Sequence, residues 1–235
     1  MVDVAAAMQV LAERASAARE ERCAFCTPEQ PQQTQQPTAG DGGADALEAE
    51  AAVSDTPVGL VQQVIREQEC RVLEYKRFED GFQRFLQVAE AEGYQSLVAD
   101  TTEAFAKLSK RINAAASRLS HLALQDGEAE SAAKCKTFAA LIRRLQDYER
   151  EKLTATAQLQ IVRHGIAVDA LRLEHASICD GDTREDGDGA ERVTATERTM
   201  DLRREEEQEL RSRLLGLTED ISEVIDEIRC EVAEL

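Results

Sequence analysis

The chain has 235 residues and a formal net charge of −18, with 43% apolar residues and 31% charged ones. That apolar share supports a real core. The acidity opposes non-specific attraction to phosphate backbones and anionic lipid, so direct nucleic-acid binding is not expected. Only four prolines, six Phe, three Tyr and no Trp accompany an abundance of Ala, Glu, Leu, Arg and Gln, a mix that suits long helices.

Residues 1–55 read as a tail outside the fold. Ala5 to Glu21 is marginally helix-prone, and Thr27 to Gly43 has almost no apolar content and holds three of the four prolines. Such a stretch cannot bury enough surface to offset its ordering entropy and is expected to be disordered. Asp3, Glu13, Glu20 and Glu21 argue against a mitochondrial presequence, which avoids acids.

A folded domain is expected over 56–235. Thr56-Pro57 supplies an N-cap followed by Pro at the first helical position. Val61, Val64, Val72, Tyr75, Phe78, Phe82 and Phe85 then mark the buried face of a first helix, which Gly93 should end. Gly81 inside it costs roughly 1 kcal/mol relative to Ala. The second helix carries Val98, Thr101, Phe105, Leu108, Ile112, Ala115, Leu119 and Leu122 in alternating steps of three and four, the seam of coiled-coil-like packing. Gln125-Asp126-Gly127 breaks it.

The third helix repeats the rhythm through Phe138, Leu141, Leu145, Tyr148, Lys152, Ala155, Leu159 and Val162. Lys152 is its one polar entry, either snorkelling to the rim with a packed stem or forming a buried ion pair. Ile166–Ser177 reads as a frayed continuation, followed by an acidic, Gly-rich loop around 178–193. A capping box at Thr194 and Glu197 should open the fourth helix, which carries Leu210, Leu214, Leu217, Ile221, Val224, Ile228, Val232 and Leu235. The expected fold is all-α, an antiparallel bundle of about four long helices.

Chemistry-bearing motifs are scarce. Cys23-Ala-Phe-Cys26 has metal-ligand spacing, but a structural zinc site needs four ligands and no second pair follows, so two ordinary thiols are the better reading. In the acidic loop, Asp180, Asp182 and Glu191 fall at the first, third and twelfth positions of an EF-hand loop. Arg184 and Glu185 then occupy the fifth and sixth, where a ligand and a glycine are needed, and a solvated loop results. His121, His164 and His175 lie in no nucleophile-like context, and no phosphate-binding, dinucleotide-binding or zinc-protease motif occurs. No catalytic residue, cofactor or enzyme activity is therefore expected. No Lys/Arg run reads as a basic patch, and no apolar run reaches the ~20 residues of a membrane span.

Three stretches resemble the REX-one-B family, named for a requirement in DNA excision repair: Cys70 to Leu86 (CRVLEYKRFEDGFQRFL), Ala139 to Val162, and Leu210 to Ala233 with its phrase Ile221-Ser222-Glu223-Val224. The resemblance covers roughly Val58–Val162 and the last thirty residues, leaving the tail and His164–Glu209 as additions. It implies an excision-repair association and supplies no reaction. On this basis the chain is expected to be a non-catalytic adaptor, nuclear or cytoplasmic, contacting proteins with basic faces, with self-association open. The alternative is a structural protein of the cytoskeleton or cilium. Glu79, Arg84, Arg143, Arg144, Glu149 and Arg150 are the expected partner surface, because charges of alternating sign stand there on otherwise structural helices.

Overall fold

The computed structural model describes residues 56–88, 91–125, 128–179 and 188–234. Four helices account for them: α1, Pro57–Val88; α2, Ala91–Gln125; α3, Ala129–Cys179; and α4, Asp188–Ala233. The tail calls for no structural account, since residues 1–55, with Cys23 and Cys26, lie outside the described residues, as do Asp180 and Asp182 of the acidic stretch.

α1 begins as its sequence dictates. Gly59 N–H donates to Thr56 Oγ1 at 3.2 Å and Leu60 N–H to the Thr56 carbonyl at 3.0 Å, so two of the first turn's orphan donors are satisfied. The helices then run antiparallel to their neighbours, pinned by polar contacts across each pair. Glu67–Arg111 and Arg77–Asp100 tie α1 to α2, and Arg143–Ser120 and Gln146–Ser109 tie α3 to α2. Arg144 and Arg163 of α3 meet Glu227 and Glu207 of α4, and Lys134 donates to the Glu234 carbonyl just past its end.

α3 and α4 form the most extensive pairing. At 51 and 46 residues they outrun α1 and α2. About 1.5 Å of rise per residue makes α3 roughly 76 Å long. The molecule is thus a four-helix head from which the end of α3 and the start of α4 continue as a two-helix arm.

Two apolar clusters fill the head. The first gathers Leu60, Val61 and Val64 of α1, Ile112 and Leu119 of α2, Phe138, Ile142 and Leu145 of α3, and Ile221, Val224 and Ile228 of α4. The second, at the α1–α2 turn, joins Phe78, Phe82, Phe85, Tyr94, Val98 and Ala157. A third seals α3 on α4 through Ala155, Leu159, Val162, Leu210 and Leu217. Removing such side chains from water at about 25 cal/mol per Å² is what makes these one-striped helices stable.

Four expectations need correction. Val72 is 58% exposed, and Arg71 beside it takes the inward position. Gly93 does not end α1. The chain reverses after Val88 so that Tyr94 and Val98, already in α2, can pack on Phe82 and Phe85. Residues 166–177 form an unbroken part of α3, which continues to Cys179. The Thr194–Glu197 capping box lies inside α4, which starts at Asp188. Lys152 resolves as a rim residue, its Nζ standing 4.7 Å from the centre of the Tyr75 ring.

Candidate functional site

Between the first two apolar clusters lies a belt of polar side chains drawn from α1, α2 and α3. The inward positions of α1 run Val61, Val64, Gln68, Arg71, Tyr75, Phe78, Phe82 and Phe85, an unbroken alternation of three- and four-residue steps. Gln68 and Arg71 hold core positions in that register, and Gln146 and Glu149 do the same on α3; all four are buried.

Arg71 is 1% exposed, and both terminal nitrogens of its guanidinium are hydrogen-bonded. Nη1 donates to Gln68 Oε1 at 3.2 Å and Gln146 Oε1 at 3.0 Å, and Nη2 donates to Ser109 Oγ at 3.1 Å. Glu149 accepts from Gln68 Nε2 and from the Tyr75 hydroxyl, the latter at 3.1 Å. Gln146 Nε2 donates to the Ser109 carbonyl at 3.1 Å. Burial lowers the Arg71 pKa, with Glu149 acting in the opposite direction. Tyr75 is held well above the usual phenol range by burial and by the adjacent Glu149 carboxylate. Phe105 (ring centroids 4.7 Å apart) and Lys152 close over the two sides of the Tyr75 ring.

The belt can specify register, since a one-step slip of any helix would strand a buried charge. The expected partner surface is corrected here: Glu149 is 5% exposed and committed to Gln68 and Tyr75, so it belongs to the interior.

The other five residues of that surface do not share one face. Glu79 points to Arg163, which bonds it at 2.7 Å, reaches Glu207 of α4 at 3.9 Å and lies 5.1 Å over the Phe82 ring. Arg84 borders a half-open groove of about 430 Å³ at the α1–α2 end, with Arg77, Phe85, Tyr94 and Leu97 among its walls. Tyr94 turns its hydroxyl away from that groove to donate to Gln160 at 2.6 Å, and burial raises its pKa. Arg144 faces α4 and pairs with Glu227. Arg143 and Arg150 alone stand together, on the exposed side of the α2–α3 groove.

That groove is the surface the sequence did not show. Residues 104–125 hold Lys107, Lys110, Arg111 and Arg118 and no acid; residues 131–146 hold Lys134, Lys136, Arg143 and Arg144 and no acid. No cation run marks them, because the cations are spread over two helices. Folding sets the segments side by side, with Arg143 donating to Ser120 at 2.7 Å and Gln146 to Ser109. A basic face results in a chain of charge −18.

Elsewhere the arm is held by a polar seam. Asp169, 3% exposed, pairs with Arg203 of α4 and, at 3.6 Å, with Arg172. Arg203 also donates to the Gly165 carbonyl at 3.2 Å, and a Cβ at Gly165 would crowd its Nε at 2.9 Å. Among the described residues no group of three metal-ligating side chains converges, and no helix is long and apolar enough to cross a membrane.

A helical head knit by an internal polar belt, with charged faces outward and a projecting two-helix arm, defines an all-α bundle domain. The family model described as DNA repair REX1-B matches residues 59–163, which supports assigning this part of the chain to that family. The match spans α1, α2 and α3 up to Arg163, and so includes the whole polar belt and the basic face. It leaves out the arm and α4, including the Ile221–Arg229 phrase. No curated protein and no solved structure matches the chain.

Proposed function

We propose that this chain serves DNA excision repair as a non-catalytic helical adaptor, working through protein contacts. One observation carries the reading: the side chains best suited to chemistry, Arg71, Tyr75 and Glu149, are tied into one hydrogen-bonded network through Gln68 inside the head. What remains outside is long helical faces of opposite charge, a form suited to joining other proteins. The family match supports the link to repair and supplies no mechanism.

Deletion in the native cell, followed by measurement of ultraviolet survival and lesion removal, tests this. Slowed lesion removal, restored by the intact chain and accompanied by nuclear recruitment after damage, is the expected result. Normal lesion removal with a tagged copy fixed on the cytoskeleton or cilium would overturn the repair reading in favour of a structural one. Strand incision by the purified chain would overturn the adaptor role.

A further inference from the structure

We propose that the basic α2–α3 groove is the docking surface for an acidic peptide segment of a partner protein. The inference rests on the adaptor reading and gives one of its contacts a chemistry. Overall acidity favours basic partners, but this face inverts that preference locally.

Two cross-helix hydrogen bonds join the walls of the groove. Arg143 reaches Ser120 and Gln146 reaches Ser109 across it, with Lys110 next to Ser109 in sequence and Lys136 and Arg150 one heptad either side of Arg143. The rails therefore carry Lys110, Lys136, Arg143 and Arg150, all exposed, over roughly 21 Å of helix at 1.5 Å per residue. Arg150 is neutralised by Asp147 at 3.0 Å. Among the described residues, Lys110, Lys136 and Arg143 meet no carboxylate within ion-pair distance, and the Arg143 partner is a neutral hydroxyl. Elsewhere on the surface, arginines such as Arg77, Arg144, Arg204, Arg213 and Arg229 have carboxylate partners. Cations left over in an acidic chain are the complement of an external anion.

The shape favours a peptide. Asn113, Ser117 and Ala140 are exposed and small, so they make a low floor on which a helix or extended segment can lie between the cationic rails. Nucleic acid fits less well. The described face has no Phe, Tyr or Trp on which a base could stack. Glu128 and Glu130 stand at one end and Asp147 interrupts it, while a long polyanion would meet the rest of a −18 surface. A short acidic segment avoids those regions.

Fluorescence anisotropy of the full chain with a labelled 20-residue peptide of repeated Glu-Ala-Ala-Asp tests the idea, with a duplex DNA of similar length as the second probe. We expect the intact chain to bind the peptide. The K110E/K136E/R143E variant should weaken that binding at least tenfold, with the neutral K110Q/K136Q/R143Q variant intermediate. The R198E/R204E variant on α4 should bind like the intact chain. Circular dichroism melts verify that each variant is folded. Three results would overturn the proposal: no peptide binding by the intact chain, equal loss in the α4 variant, or tighter binding of the duplex through the same three residues. None depends on lesion removal, so the proposal and the adaptor reading fail separately.

Discussion

Arg71 and Glu149, opposite charges on α1 and α3, are joined inside the head through Gln68, whose amide accepts from the guanidinium and donates to the carboxylate. Breaking such a buried pair from one side leaves an uncompensated charge and costs about 3–5 kcal/mol. We therefore expect Arg71→Met and Glu149→Gln each to destabilise the head strongly in urea unfolding. The R71M/E149M double variant should cost less than the sum of R71M and E149M. Additive losses would mean that the two charges do not share one network.

Alkali should act through the tyrosines. Tyr75 and Tyr94 have raised pKa values in the fold relative to their ordinary value of 10.0. The folded state thus holds protons that the unfolded state releases first. Their contribution is complete below pH 10 and declines as pH climbs beyond it. The urea midpoint should fall steadily above pH 10, and in the Y75F/Y94F variant the fall should be shallower. Identical slopes would show that neither phenol is linked to folding.

Gly81 tests the α1–α2 contact. A methyl placed there would overlap Leu97 Cδ2. Overpacking costs typically 1–3 kcal/mol, while replacing a helical Gly by Ala gains about 1 kcal/mol. Gly81→Ala should accordingly destabilise the intact chain or leave it unchanged, yet stabilise a Leu97→Ala background by about 1 kcal/mol. Thermal melts of the four chains in this cycle would read the change of sign. The same effect in both backgrounds would remove Leu97 as its cause.

The arm should loosen without the head. Arg203→Met deprives buried Asp169 of its cross-helix partner. Hydrogen exchange should then rise across residues 166–176 of α3 and 193–207 of α4, with the Ile112–Ile142 core unchanged. Exchange spreading into that core would show head and arm to be one cooperative unit.

How much of this was legible beforehand follows from what each residue does. The seams of α2 and α3 were readable because most inward positions are apolar, among them Val98, Phe105, Ile112 and Leu119 on α2 and Phe138, Leu145, Leu159 and Val162 on α3. On α1 the three-four alternation continues through Gln68 and Arg71. A search for apolar residues passes over them and lands on exposed Val72. Glu149 was misplaced for the same reason: a carboxylate on a charged helix reads as surface until its partners on α1 are known. The capping box at Thr194 was a sound local signal that did not mark the helix start, because α4 already begins at Asp188. The basic face had no local signature at all, since it exists only once α2 and α3 lie in register.

Arg163 stands where the family match ends, gripping Glu79 of α1 and approaching Glu207 of α4. Beyond it the arm works as a spacer whose length is quantised. Its seam repeats every seven residues on both strands, so only paired insertions of seven keep Asp169 facing Arg203 and the tip in phase with the head. Each such step would move the tip outward by about 10 Å. Whatever meets the tip is thereby held at a set distance from whatever sits on the basic face, and evolution or design can change that distance without disturbing either end.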